Sequence, residues 1–297
     1  MMTDLESLRC FAAAASHLSF RVASRSIGLS PAAFSDRIKR LEEELGVGLF
    51  ARTTRHVALT PAGVRLVPLA REIMAATARC ASVARADDVP VPYELVLGTR
   101  FELGLSWLTV ALDALGRAVP HRTLHLVFSD TPDLVARVKQ GLIDAAVTSA
   151  RLAQAGLAYE TLHDEDYAFV GATSLLRRRP LVRASDALEH VLLDTTAELP
   201  LFRYFLDAGG RGQSWSFARN QYLGTIGAIR LRVLASAGVA VLPRYFVERD
   251  LASGRLTRIL PRARLQRDAF RLIWRAGHPR NLELRRLAAE LAAIPLA

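Results

Sequence analysis

The stretch Ser19–Glu42, SFRVASRSIGLSPAAFSDRIKRLE, decides how the rest of the chain is read. From about Ser19 to Ile27 it places Phe20, Ala23 and Ile27 on one helical face. Gly28-Leu29 follows, and glycine accepts the positive φ that a sharp turn needs. Ser30 then offers a capping hydroxyl and Pro31 a preset first helical residue, so a second helix starts there. This helix turns Ala33 or Phe34, then Ile38 and Leu41, inward, and shows Ser35, Asp36, Arg37, Lys39 and Arg40 on its other face. Two short helices around a tight turn are a helix-turn-helix, whose second helix is shaped to enter a major groove. An ordinary helical hairpin with a solvated basic face has the same periodicity, so the flanks must decide.

The flanks favour DNA. LEEELG, Leu41–Gly46, ends the helix with a glycine stop. LFARTTRHVALTPAG, Leu49–Gly63, reads as two short strands around Thr53-Thr54, with Arg52, Arg55 and His56 at the tip. A basic β-wing beside a recognition helix suits phosphate or minor-groove contact. Upstream, residues 3–16 form a bracing helix that Thr3 can cap, with Leu5, Leu8, Phe11, Ala12 and Ala15 as its apolar stripe. The run resembles the LysR-type transcriptional regulators. The pattern matches at Leu8, Phe11, Ser19-Phe20, Ser30, Ala33, Ser35, Ile38, Leu41-Glu42, Leu45-Gly46, Leu49-Phe50, Arg52, Leu59-Thr60 and Ala62-Gly63. It departs at Pro31, where the family usually has a glutamine that often touches DNA, and at Arg21, which either meets a phosphate or is solvated. The candidate DNA contacts are Arg21, Ser30, Pro31, Ala32, Phe34, Ser35, Asp36, Arg37 and Arg40, with Arg52, Thr53, Arg55 and His56 on the wing.

Composition sets the bounds. With 297 residues, 51% apolar and 23% charged, the chain has room for two or three globular units. No apolar run reaches the roughly 18 residues of a membrane span, and Asp4 and Glu6 stand where a signal peptide needs basic residues. A cytoplasmic protein with no membrane partner is expected. Cys10 and Cys80 fit neither metal nor disulfide spacing. The net charge of +10 is not the DNA signal, since residues 1–90 carry +3 of it and residues 91–297 carry +7. The local excess is more telling: between Leu18 and Arg40, five cations face Asp36 alone.

Thr60-Pro61 starts another helix, running to about Ala86 with Val64, Val67, Met74, Ala78 and Ala81 on one side. Pro68 should bend it or loosen its first two turns. At roughly 37 Å, such a helix must bury its stripe on something: a second copy is the expected partner, and its own chain's core is the alternative. DDVPVP, Asp87–Pro92, is a linker. Beyond it strands and helices alternate: strands at 94–99, 123–128 and 144–148, helices at 103–118 and 131–140, as in a parallel sheet with helices on its faces. A second unit starts near His163, with strands expected in DEDYAFVGA (164–172) after its acidic run and at 190–194, 215–219, 238–242 and 256–260, and helices at 200–207 and 224–236. Asp268–Trp274 and Leu282–Leu291 return to the first unit, so crossovers fall near 161–168 and 261–268.

In an open parallel sheet, ligands lie beyond the carboxyl ends of the strands, where helix N-termini favour anions. Thr99, Arg100, Phe101, Thr131, Thr148 and Ser149 sit at such ends, although each hydroxyl there also has a capping role open to it. Arg100 suits a carboxylate and points to an anionic effector. The two crossing lobes resemble the effector domain of the same family, itself similar to periplasmic binding proteins. That likeness is closest at Gly224–Pro243 and implies that Tyr222 and Thr225 face the cleft.

The expected fold is α+β and multi-domain. A winged helix-turn-helix (1–60) and a long linker helix (61–88) precede a two-lobed α/β effector domain (92–297), with lobe I at 92–162 and 266–297 and lobe II at 163–265. The expected function is transcription regulation. The implied partners are operator DNA, a small effector bound between the lobes, RNA polymerase, and further copies of the chain in a dimer or tetramer. Neither a cofactor nor a metal is expected, and no catalytic residue is assigned. A cytoplasmic solute-binding protein or an enzyme is the alternative. However, no P-loop, nucleophile elbow or dinucleotide fingerprint is present. His121 and His125 share no helical face, and Asp164-Glu165-Asp166 reads as a solvated loop more readily than as a metal site.

Overall fold

The computed structural model describes residues 4–52, 57–85, 92–149, 155–209 and 214–296. Three helices open the chain: α1 (Leu5–His17), α2 (Phe20–Ser26) and α3 (Pro31–Leu45). Asp4, not Thr3, caps α1: its carboxylate accepts from the Glu6 and Ser7 N–H groups at 2.9 Å and from the Ser7 hydroxyl at 2.6 Å. These bonds, the Ser7 hydroxyl foremost, hold the Asp4 carboxyl below its usual pKa. Ser19 caps α2 and Ser30 caps α3, with Pro31 at the first helical position. Gly28 turns between them at φ +73°.

The strands β1 (Phe50–Arg52) and β2 (Val57–Leu59) pair antiparallel. Glu42 ties them to α3, accepting from the Leu49 and Phe50 N–H groups at 2.7 and 3.0 Å. A core of Leu8, Phe11, Ala14, Phe34, Ile38, Leu41 and Phe50 holds the unit, and Phe20 packs edge-on against Phe34 and Phe50. The helix α4 (Pro61–Arg85) runs unbroken through Pro68. Val67 and Ala70 bury its first half in this same core.

Two five-stranded sheets follow. The first orders β4 (Arg122–Phe128), β3 (Tyr93–Thr99), β5 (Ala145–Thr148), β12 (Asp268–Arg275) and β6 (Leu157–Glu165). The second orders β11 (Leu256–Arg258), β7 (Tyr167–Ala172), β10 (Val239–Pro243), β8 (Val191–Asp194) and β9 (Arg219–Tyr222). In the first sheet β3 runs parallel to β4 and β5, whereas β12 is antiparallel to both its neighbours. The helices on the first sheet are α5 (Phe101–Leu103), continued through a π turn (Gly104–Leu108) into α6 (Thr109–Ala118), then α7 (Thr131–Gln140) and, at the end of the chain, α12 (Asn281–Ala292). With the second sheet go α8 (Thr173–Arg178), α9 (Pro200–Leu206), α10 (Ile226–Leu234) and α11 (Arg244–Ala252). Gly104 is required where that first helix meets the strand ends: a Cβ there would lie 2.4 Å from the Phe128 ring and 2.5 Å from Thr99 Cγ2.

The chain leaves the first sheet at Asp166, within the expected 161–168, with His163, Asp164 and Glu165 still paired with β12. One expectation is corrected. The strand expected at Trp215–Arg219 lies at Arg219–Tyr222; Trp215 and Phe217 instead pack edge-on against Phe202, and Trp215 also against Phe205. The helix α11 was not anticipated.

Candidate functional site

The DNA-facing candidates divide by burial. Pro31, Ala32, Asp36 and Arg40 are exposed on α3, Ser35 is half-buried, and Arg21 is exposed on α2. Ser30 is exposed, with its Oγ accepting from the Ala33 N–H at 3.2 Å. Phe34 is fully buried, so the inward position is Phe34 and it is not a DNA contact; Ala33 lies outside. Arg37 is half-buried on the flank of α3 and donates to the α1 cap Asp4 at 3.5 Å. Lys39 pairs with Glu43 at 3.5 Å, so Arg40 is the α3 cation with no carboxylate partner among the described residues. Arg52 lies in β1, and the side chain of Arg52 together with Thr53, Arg55 and His56 falls outside the described residues.

The effector candidates sit at strand ends and helix starts of both sheets. Thr131 and Thr148 join hydroxyl to hydroxyl at 3.0 Å, with Ser149 half-buried beside them. Phe101 and Tyr222 are exposed. Thr225 caps α10 through the Ala228 N–H at 3.2 Å. Thr99 is fully buried against Gly104 and does not face a ligand.

Arg100 is not a free cation. Its Nη2 donates to Glu165 Oε1 at 3.0 Å, and its guanidinium lies 5.3 Å from the centre of the Phe270 ring. Burial alone would lower the Arg100 pKa; the Glu165 carboxylate more than reverses that, so Arg100 stays charged. The pair still leaves Arg100 Nε and Glu165 Oε2 buried without hydrogen-bond partners among the described residues, as is the nearby Tyr245 hydroxyl.

The helix N-termini of the second sheet are also occupied. Glu102, from α5, accepts from the Gly227 N–H of α10 at 2.9 Å and so bridges the two sheets. Asp194, fully buried at the end of β8, accepts from the Leu201 and Phe202 N–H groups at the start of α9. Burial raises the Asp194 carboxyl's pKa despite these bonds. Glu165, Glu102 and Asp194 were missed from the sequence because their partners are 65, 125 and 7–8 residues away with no local pattern to announce them.

A second missed cluster docks α4 on the first sheet's domain. Arg71 donates to the Gly141 carbonyl at 2.9 Å and lies 3.7 Å from Asp144, which also meets the His278 ring at 3.2 Å and accepts from the Val96 N–H at 2.6 Å. Burial pushes the Asp144 carboxyl up, but the His278 hydrogen bond, the Arg71 charge and the Val96 N–H together hold it below its usual value. Its stabilisation is therefore complete above the unfolded pKa and is lost as pH falls through the lower folded one. Asp144→Asn is expected to lower stability at neutral pH and to flatten the acid limb of the stability curve below about pH 4. A full-length protein whose acid limb is unaltered by the substitution would remove Asp144 from this role.

Among the described residues no helix is long and apolar enough to cross a membrane, and no group of three His, Cys, Asp or Glu could hold a metal ion. Comparison with known proteins agrees with the geometry. Residues 5–64 match the model of the bacterial regulatory helix-turn-helix protein of the lysR family, and residues 91–294 match that of the LysR substrate binding domain. A probable hydrogen peroxide-inducible genes activator of Streptomyces viridosporus is 30% identical, spanning 97% of this chain and 93% of its own. The transcriptional regulator PtxR of Pseudomonas aeruginosa is 31% identical over 88% of this chain and 83% of its own. The fold matches a full-length OxyR variant of Pseudomonas aeruginosa with a TM-score of 0.76 at 21% identity, covering 100% of this chain and 97% of that one. With residues 5–64 and 91–294 matched by these two models, the chain belongs to the LysR family and is a transcriptional regulator with DNA-binding and effector-binding domains.

Proposed function

We propose that the outward face of α3, centred on Ala32, Ser35, Asp36 and Arg40, reads the operator's major groove, with Arg21 and the wing on phosphates. The supporting observation is that Ala32, Asp36 and Arg40 are exposed on this face while Phe34, Ile38 and Leu41 on the opposite face are fully buried. Arg40→Ala is expected to weaken binding to DNA from upstream of the protein's own gene about 5- to 150-fold, as for loss of one good base contact. Should Arg40 meet a phosphate instead, the loss is uniform across sequences and the salt slope falls by about one. Unchanged affinity and salt slope in fluorescence anisotropy would remove Arg40 from the contact surface.

A small effector binds between the sheets, on Phe101, Thr131, Ser149, Tyr222 and Thr225, and acts on α4 through the Arg71–Asp144 contact. An anionic effector rested on an unpaired Arg100. With Glu165 on Arg100 and carboxylates already on α9 and α10, the effector is a polar molecule carrying both donors and acceptors, suited to the Thr131 and Ser149 hydroxyls. A thiol mechanism is disfavoured, although relatives are named for peroxide induction: residues 92–297 contain no cysteine, and Cys10 is buried. Dimers form through α4, whose Leu69 is exposed, and the DNA-bound assembly recruits RNA polymerase without a catalytic step of its own.

A further inference from the structure

A cavity of about 650 Å³ lies beside the two crossovers, apart from the effector candidates, lined by Asp166, Arg244, Arg258, Arg262, Arg264 and Arg267 among others. Five arginines and one carboxylate line it. Arg267 pairs with Asp166 at 2.8 Å, and Arg244 turns to Glu248 at 2.8 Å on its own helix. Arg258 reaches the Pro261 carbonyl at 3.1 Å, and Arg262 and Arg264 are exposed without a carboxylate partner among the described residues. Three like charges thus stand around one concave space without counter-charge. Such a cleft focuses its field and concentrates anions. Each guanidinium is a planar fork that fits a carboxylate or phosphate through two parallel bonds.

We propose that this cavity is a binding site for a small polyanion carrying two or more phosphate or carboxylate groups. One anionic group neutralises one guanidinium; three unpaired ones call for several groups on one molecule. The volume falls within the roughly 300–1,000 Å³ of small-molecule sites. Duplex DNA carries its phosphates on a convex surface and does not enter a cavity of this size. Asp166 is the first crossover and Arg262–Arg267 lead into the second, so the site sits on the hinge between the sheets. A polyanion there favours the arrangement in which the guanidiniums converge, and so biases the angle between the sheets. The site stands independently of the effector placed between them.

Calorimetric titration of the full-length protein with tripolyphosphate, and separately with citrate, tests this. At least one probe is expected to bind saturably, near one per chain, and at least tenfold more weakly to Arg262→Ala/Arg264→Ala. These exposed residues hold no ion pair among the described residues, so the melting transition should survive; if it does not, Arg264→Gln alone is expected to weaken binding at least threefold. The variant keeps every cation of the helix-turn-helix, so the difference from the unaltered protein isolates the cavity. Preference for tripolyphosphate identifies phosphate recognition, and preference for citrate identifies carboxylate recognition. Absence of saturable binding by both probes, or equal binding to the variant, overturns the proposal.

Discussion

Phe34→Ala is expected to cost about 3–5 kcal/mol and to unfold much of the amino-terminal unit, abolishing DNA binding through loss of fold. Phe34 is fully buried, its ring 5.5 Å from Phe20, within the core that Ile38 and Leu41 share. Truncation removes the ring and leaves a cavity between α2, α3 and β1. Since a domain's net stability is only about 5–15 kcal/mol, such a loss is close to decisive. Phe34→Leu fills most of the space and should recover both the melting transition and DNA affinity. A Phe34→Ala protein that melts like the parent yet fails to bind DNA would show instead that this ring touches the duplex.

Glu165→Ala is expected to destabilise the two-sheet domain by about 3 kcal/mol, because it leaves the Arg100 charge three-quarters buried beside Phe270 with no counter-ion. The side chain of Glu165 is wholly buried, so water does not replace it. Arg100→Met alone strands the opposite charge and should cost a similar amount. The double substitution Glu165→Ala/Arg100→Met removes both charges and should cost clearly less than the sum. Thermal or denaturant unfolding of the four proteins checks this. Strict additivity would mean that the two side chains do not stabilise each other.

These two residues also show what sequence reading reaches. Local devices were legible: the Ser30-Pro31 start of α3 and the glycine stops at Gly28 and Gly46 are each decided within a few residues. The apolar periodicity left Ala33 and Phe34 as rivals for the inward position, and the packing of Phe20, Phe11 and Phe50 settles it for Phe34. Arg100 looked free because its counter-ion lies 65 residues on, in a run, Asp164-Glu165-Asp166, that reads as a solvated loop. That run is the end of an edge strand, β6, whose polar alternation hides it beside the apolar strands. Trp215 and Phe217 have strand-like composition but are drawn off by the aromatic cluster on α9.

The most direct measurement places a cutting reagent on the face said to read DNA. Lys39→Cys, combined with Cys80→Ser, puts an accessible thiol on exposed α3, while Cys10 stays buried. An iron chelate attached there should break bound operator DNA in two clusters, each in a major groove, about one helical turn (roughly 34–36 Å) or a whole multiple of it apart. A complex that forms fully while its DNA stays uncut, or is cut without clusters, would contradict the assignment of α3 as the reading element.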